Sequence, residues 1–255
     1  IRGVRQAAGE FSDYGVTVVL KTIKGYDGAV QLQAMDALSR QVNVLILNPI
    51  NEPEIIQKIN ELAGSGVQII TLNTDVDKSR RLCYIGPDYF RSGQAACGIM
   101  GLLLRGSGKI GILTGSVKIL GHNQRIAGVR SVIRERFPGL SVEDLDETGD
   151  DDVRAYAAAS RMLREHPDLD GLILVAAGSY GVCRAVLELP ETRRPRIVSM
   201  DSVPTTVEML QTGVIQATVC QQPFTQGYQA VQRAFRYLVQ GESPPEERIF
   251  METEI

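Results

Sequence analysis

Few side chains in this sequence could carry covalent or metal chemistry. There are two histidines, His122 and His166, and four cysteines, Cys83, Cys97, Cys183 and Cys220. The cysteines lie far apart with no Cys-x-x-Cys pair, whereas a structural zinc site draws four such ligands from short, paired spacings. They read as reduced, buried thiols. Gly106-Ser107-Gly108-Lys109 has the composition of a phosphate loop but not its frame. Leu103 stands where the first glycine belongs, Ile110 follows the lysine, and an apolar strand follows the loop in place of a helix. Ser179 and Ser202 each follow an apolar run, where a nucleophile could sit, but no Gly-x-Ser-x-Gly elbow surrounds them. His166, before Pro167, reads as surface, and His122 as a loop residue at a helix start, so neither is placed as the base of a triad. The expectation is a protein that is not an enzyme and needs no metal or cofactor.

The polar residues just beyond apolar runs suggest a different chemistry. Asn73, Thr74 and Asp75 follow QIITL, and Asn123 and Arg125 follow KIGIL and its loop. Asp201 and Ser202 follow IVSM, and Gln221 and Gln222 follow ATVC before Pro223. One guanidinium, one or two carboxylates and several amides can make paired hydrogen bonds to vicinal hydroxyls. Local roles compete at some of these positions. Asp201 could cap a helix, Asn73 could shape a turn, and Gln221 could belong to a hinge. Arg125 near a helix start opposes the helix dipole, which argues for a specific partner.

These residues need a scaffold that gathers strand ends, and the periodicity supplies one. Helical patterns cover residues 1–11, 27–40, 52–64, 89–104, 123–137, 151–165, 180–189, 205–212 and 226–239. Between them, short apolar runs at 16–20, 44–47, 68–72, 82–85, 109–113, 140–145, 172–175, 197–200 and 215–220 read as strands, with a last extended piece at 248–252. The strands do not alternate polar with apolar, so both faces are covered, as in parallel sheets flanked by helices. In such sheets ligands bind beyond the carboxyl ends of the strands. Residues 105–109 read as a flexible crossover, which favours two lobes over a single barrel. A helix opens the chain where a doubly wound lobe normally opens with a strand, so a strand is expected upstream of Ile1. The formal net charge of -3 gives no footprint for nucleic acid. No apolar run reaches the length of a membrane span.

Several stretches resemble the ligand-binding domains of the superfamily that includes periplasmic sugar-binding proteins and LacI-type repressors. ITLNTDVDKSRRLCYIGPDYFRSGQAA is similar to the family's segment of a strand, a ligand-facing polar residue and an IG-x-D helix entry. GHNQRIAGVRSVI resembles its R-x-x-G-F helix, HPDLDGLILV its lead into a strand of the second lobe, and IVSMD its V-x-G-(F/M)-D. GVIQATVCQQPFTQGYQAV resembles its AT-x-x-Q-x-P crossover. The resemblance spans essentially the whole chain. It implies that Arg125, Asp201 and Gln221 contact a sugar, with Asn73 at a position where Asp is common among sugar binders. Thr74 stands where an Arg often follows, and Ala176-Ala177-Gly178-Ser179 stands where Asn-Asp is usual, so one polar contact is missing.

The resemblance implies a type I periplasmic binding protein-like fold: α/β, with two doubly wound parallel-sheet lobes joined by a multi-crossover hinge. The expected N-terminal lobe is 1–105 plus about 223–243, and the C-terminal lobe 106–222 plus about 244–255. Ligand-binding residues are expected at Asn73, Thr74, Asn123, Arg125, Asp201 and Gln221, in a cleft on which the lobes close. The leading expectation is the effector domain of a cytoplasmic LacI-type regulator. It would bind a sugar-like effector, act as a homodimer, and reach operator DNA through an upstream helix-turn-helix. The unpaired cysteines favour that branch. The competing expectation is an extracytoplasmic sugar receptor of a transporter or sensor.

Overall fold

The computed structural model describes residues 1–255, which divide into two units. Unit 1 comprises Ile1–Pro87 and Gln221–Glu252; unit 2 comprises Asp88–Cys220 and Thr253–Ile255. The chain therefore passes from one unit to the other after Pro87, Cys220 and Glu252.

In chain order, unit 1 begins with α1 (Arg2–Glu10), α2 (Gly28–Ser39), β1 (Val44–Leu47), α3 (Pro53–Gly64), β2 (Gln68–Leu72) and β3 (Cys83–Pro87). Unit 2 holds α4 (Tyr89–Leu103), β4 (Ser107–Thr114), α5 (Leu120–Glu135), β5 (Gly139–Glu147), α6 (Asp152–Glu165) and β6 (Gly171–Leu174). It continues with α7 (Ser179–Leu187), β7 (Arg196–Met200), α8 (Pro204–Gln211) and β8 (Ala217–Val219). The chain then returns to unit 1 with α9 (Pro223–Phe235) and β9 (Arg248–Met251).

Unit 1 carries a parallel sheet of order β1-β2-β3-β9. Neighbouring residues of one strand face opposite layers. Ile69 joins Met35, Ile55 and Ile59 from α2 and α3, whereas Ile70 joins Ile85, Ala230 and Ala234 on the α9 side. Against α9 lies α1, held by the Phe11 ring stacked on Phe235 with centroids 4.4 Å apart. Gly3 is obligatory in that packing, because a Cβ there would lie 2.0 Å from the Phe224 carbonyl oxygen.

Unit 2 carries a parallel sheet of order β5-β4-β6-β7-β8. The chain leaves β4 for the outer strand β5 and returns to β6 on the other side of β4. The winding direction therefore reverses between β4 and β6, and at such a reversal the loops diverge and leave a crevice. Ile112, Ile173 and Val198 face the layer containing α4 and α5, while Leu113, Leu172 and Ile197 face α6 and α7. Both layers are fully buried, which accounts for the apolar runs without alternation in the sequence.

Three sequence expectations meet a different structure. Residues 16–20 are β-branched but lie outside both sheets, with Val19 52% and Leu20 48% exposed. β-propensity makes a strand only where a neighbouring ladder accepts its hydrogen bonds, and the sheet of unit 1 ends at β1. The first change of unit comes after Pro87 and not near 105, because α4 packs against α5 and against strands of unit 2. The segment expected in the second lobe from 244 onward instead delivers β9 to the sheet of unit 1, where Ile85 pairs with Ile249.

Candidate functional site

Unit 1 builds its polar strand end from β2. Asn73 follows the strand with φ 67°, a left-handed conformation uncommon outside glycine but tolerated by Asn. Its N–H donates to the Ile85 carbonyl at 2.9 Å, and its own carbonyl accepts the Tyr84 hydroxyl at 2.9 Å. The backbone is thus pinned on both sides while the amide side chain stays half-buried. Thr74 is buried, and its Oγ1 has no hydrogen-bond partner. Asp75 turns inward: its carboxylate accepts Thr71 Oγ1 at 2.8 Å and pairs with Arg81 at 2.8 Å. Burial raises its carboxyl above the ordinary value, and Arg81 opposes that shift. Gln221 opens the second segment of this unit, is buried, and has its carbonyl held by Gln226 Nε2 at 2.5 Å.

Unit 2 builds its strand end from β4 to β8. Asp201 repeats the geometry of Asn73: φ is 68°, its N–H donates to the Val219 carbonyl at 2.9 Å, and its carbonyl accepts Thr218 Oγ1 at 3.0 Å. The sequence allowed a simple helix cap there, but α8 starts at Pro204 with Val203 before it and no side-chain cap.

Arg125 lies in the second turn of α5 and is 2% exposed. Its Nη1 donates to the Val175 carbonyl at 2.5 Å, and the guanidinium lies over the Tyr89 ring, 4.6 Å from its centroid. No carboxylate pairs with it, and its Nε has no partner. A buried cation held by a carbonyl and an aromatic face keeps donor capacity for an outside group. Tyr89 was not singled out from the sequence, where it reads as the first residue of a helix. Burial pushes its hydroxyl up to about 12, with Arg125 opposing and Asp201 adding.

Close contact between α4 and α5 fixes this pair. A Cβ on Gly93 would lie 2.0 Å from the Arg125 carbonyl oxygen, and one on Gly121 would meet the Tyr89 ring at 2.6 Å. Val175 follows β6, so Arg125 reaches the point where the sheet reverses. Asn123 takes a supporting part: its Nδ2 donates to the Val117 carbonyl at 2.8 Å and ties the loop before α5.

The groups that invited catalytic readings are occupied elsewhere. Ser179 is buried and shares a 2.9 Å hydrogen bond with Thr206. His122 Nδ1 is bonded to the Ser116 main chain, 3.2 Å from its N and 3.1 Å from its carbonyl oxygen. Burial, with Arg125 adding, depresses its value to about 4. Lys109, in β4, pairs with Asp168 at 2.5 Å and faces no helix N-terminus.

Residues 1–243 match the periplasmic binding protein domain family. A D-ribose/D-allose-binding protein of Pseudomonas aeruginosa is 23% identical over 217 residues, 81% of this chain. That match spans 66% of the relative, just under two thirds of its length. A glucose-galactose binding protein from Geobacillus stearothermophilus superposes with a TM-score of 0.91 at 26% identity, covering 99% of this chain and 90% of that one. An ABC transporter solute binding protein from Burkholderia graminis, solved in complex with D-arabinose, gives a TM-score of 0.89 at 26% identity, covering 99% and 89%. These relatives are sugar-binding or transport proteins, and none of them points to the LacI-type branch of the resemblance. With two parallel-sheet units and this match over nearly its whole length, the chain belongs to the periplasmic binding protein domain family.

Proposed function

We propose that this chain is a monosaccharide receptor of an uptake or sensing system, working outside the cytoplasm and performing no covalent chemistry. The observation that carries this reading is Arg125, a buried guanidinium at the reversal of the unit 2 sheet, stacked on Tyr89 and paired with no carboxylate. Such a group donates to hydroxyl oxygens in a fixed plane. Asp201 in unit 2 accepts hydroxyl hydrogens, and Asn73 in unit 1 does both. Arg125 and Asp201 of unit 2 are assigned to a ligand that is an aldopentose or aldohexose, in keeping with the sugars named for the relatives.

The regulator reading, with its operator DNA and homodimer, draws no comparable support. The cysteine argument for a reducing compartment also weakens. All four are free thiols; Cys83, Cys97 and Cys183 are buried. Burial raises the first two to about 11 and Cys183 to about 12. Thiols held protonated and out of reach are inert in any compartment. No helix is long and apolar enough to cross a membrane.

Titration calorimetry against D-ribose, D-allose, D-arabinose, D-glucose and D-galactose tests the proposal. Saturable one-to-one binding of at least one of them is the expected result. Silence toward all five, with binding of a non-sugar solute, would overturn it.

A further inference from the structure

Ala176 and Ala177 leave the crevice beside β6 without the polar side chain that the family resemblance leads one to expect there. The structure brings another residue to that place. After β5, the Thr148 N–H donates to the Thr114 carbonyl at 2.7 Å and the Gly149 N–H to the Gly115 carbonyl at 2.8 Å. Gly149 and Asp150 then both take left-handed conformations, φ 63° and 57°. That double turn carries the Asp150 carboxylate back over the end of β4. Its Oδ1 accepts the Ala177 N–H at 3.0 Å. Gly115 makes the approach feasible, since a Cβ there would lie 2.3 Å from that oxygen and 2.7 Å from His122 Cε1.

We infer that Asp150 is a further ligand-contacting residue of the unit 2 site, accepting a sugar hydroxyl in the position that Ala176 and Ala177 leave apolar. This rests on the sugar-binding reading above. Ala177 lies two residues after Val175, whose carbonyl holds Arg125, so Asp150 and Arg125 are anchored to the same strand end at the sheet reversal. No cation pairs with Asp150, and its only hydrogen bond is to Ala177 N–H. A half-buried carboxylate without a counter-charge is an unfavourable way to satisfy one amide, which an uncharged acceptor would serve as well. Helix capping does not account for it either, because the neighbouring Asp151 already accepts the Val153 and Arg154 N–H groups of α6. Burial raises the Asp150 carboxyl, the Ala177 N–H opposes that, and the nearby Asp201 adds to it.

An ionised carboxylate only accepts, so the group it meets must donate, as a sugar hydroxyl does. Asp150 also feels the negative charge of the nearby Asp201, and two neighbouring carboxylates disfavour anionic sugars. The ligand class narrows to neutral monosaccharides, with uronates and sugar phosphates excluded.

Asp150→Asn and Asp150→Ala, titrated against the five monosaccharides and against D-glucuronate, test the assignment, with melting of the unliganded protein as the second readout. Asn keeps an acceptor for Ala177 and removes the charge. Expected is a loss of affinity of about tenfold or more for the best-bound sugar in both variants, with the melting temperature of Asp150→Asn unchanged or raised at pH 7, and no binding of D-glucuronate by the parent. Wild-type affinity and ranking in Asp150→Asn would overturn the inference and leave the sugar reading standing. So would a fall in melting temperature in Asp150→Ala that Asn restores while affinity never moves, since that describes a purely structural tie. Failure of the parent protein to bind any sugar would instead remove the reading itself, and this inference with it.

Discussion

The two units handle buried charge in opposite ways. In unit 1 the charges beyond the strand end are closed on one another. Asp75 pairs with Arg81 at 2.8 Å, Arg81 also reaches Glu247 at 3.1 Å, and Arg248 lies 3.7 Å from Asp75. This network ties the loop after β2 to residues 247 and 248 at the start of β9. In unit 2 the buried cation and the carboxylate of Asp150 are each held by main chain, Arg125 by a carbonyl and Asp150 by an N–H, and neither forms an ion pair. Identical side-chain chemistry is therefore closed into ion pairs in one unit and held by main chain without an ion pair in the other. A protein can leave charges in the second state only where the fold itself positions them. The close α4–α5 packing and the turn at Gly149 provide that positioning.

Each side of this contrast can be broken separately. Arg81→Met leaves buried Asp75 with only the more distant Arg248 as counter-charge, and unit 1 should lose up to about 3–5 kcal/mol of stability. Hydrogen exchange read separately over each unit checks this; equal loss of protection in both units would break the contrast. Arg125→Met should do the reverse, weakening sugar binding by about 2–5 kcal/mol while melting changes little. Calorimetry with the best-bound sugar is the measurement, and undiminished binding would remove the proposed role of Arg125.

Unit 2 should also carry a pH response of its own. His122 is held near 4 in the fold, against about 6.5 for an unperturbed imidazole. A depressed value means that the unfolded chain takes up the proton first. The His122 contribution is therefore present above about pH 6.5 and lost as pH falls toward 4, amounting to at most about 3 kcal/mol. Denaturant melts between pH 7 and 4 should show this decline, flattened in His122→Gln.

A smaller effect separates two glycines of one helix. Gly93→Ala forces a methyl against the Arg125 backbone and should cost about 1–3 kcal/mol. Gly98, in the same helix, has open space around the added carbon, so Gly98→Ala should stabilise by up to about 1 kcal/mol. A pair of thermal melts decides it.

Polar residues after apolar runs mark strand ends, and Asn73, Arg125 and Asp201 were singled out on that basis; the structure adds that Asn73 and Asp201 adopt the same pinned, left-handed turn, one in each unit. Tyr89 and Asp150 escaped notice. Tyr89 looked like the first residue of a helix, and Asp150 was lost in an acidic run. The signal for Asp150 was nonetheless there: a Gly-Asp pair ahead of Asp151, where one carboxylate suffices to cap α6.

The sequence alone determined the α/β class, the parallel sheets and the strand-end location of the polar groups, since all of these follow from local periodicity. Only the tertiary structure decided the rest. Residues 16–20 have strand composition but no neighbouring ladder, the first change of unit comes after Pro87, and Asp150 meets Ala177 from 27 positions away. Each of these outcomes depends on a partner distant in the chain, and periodicity within a segment carries no information about which distant segment it will meet.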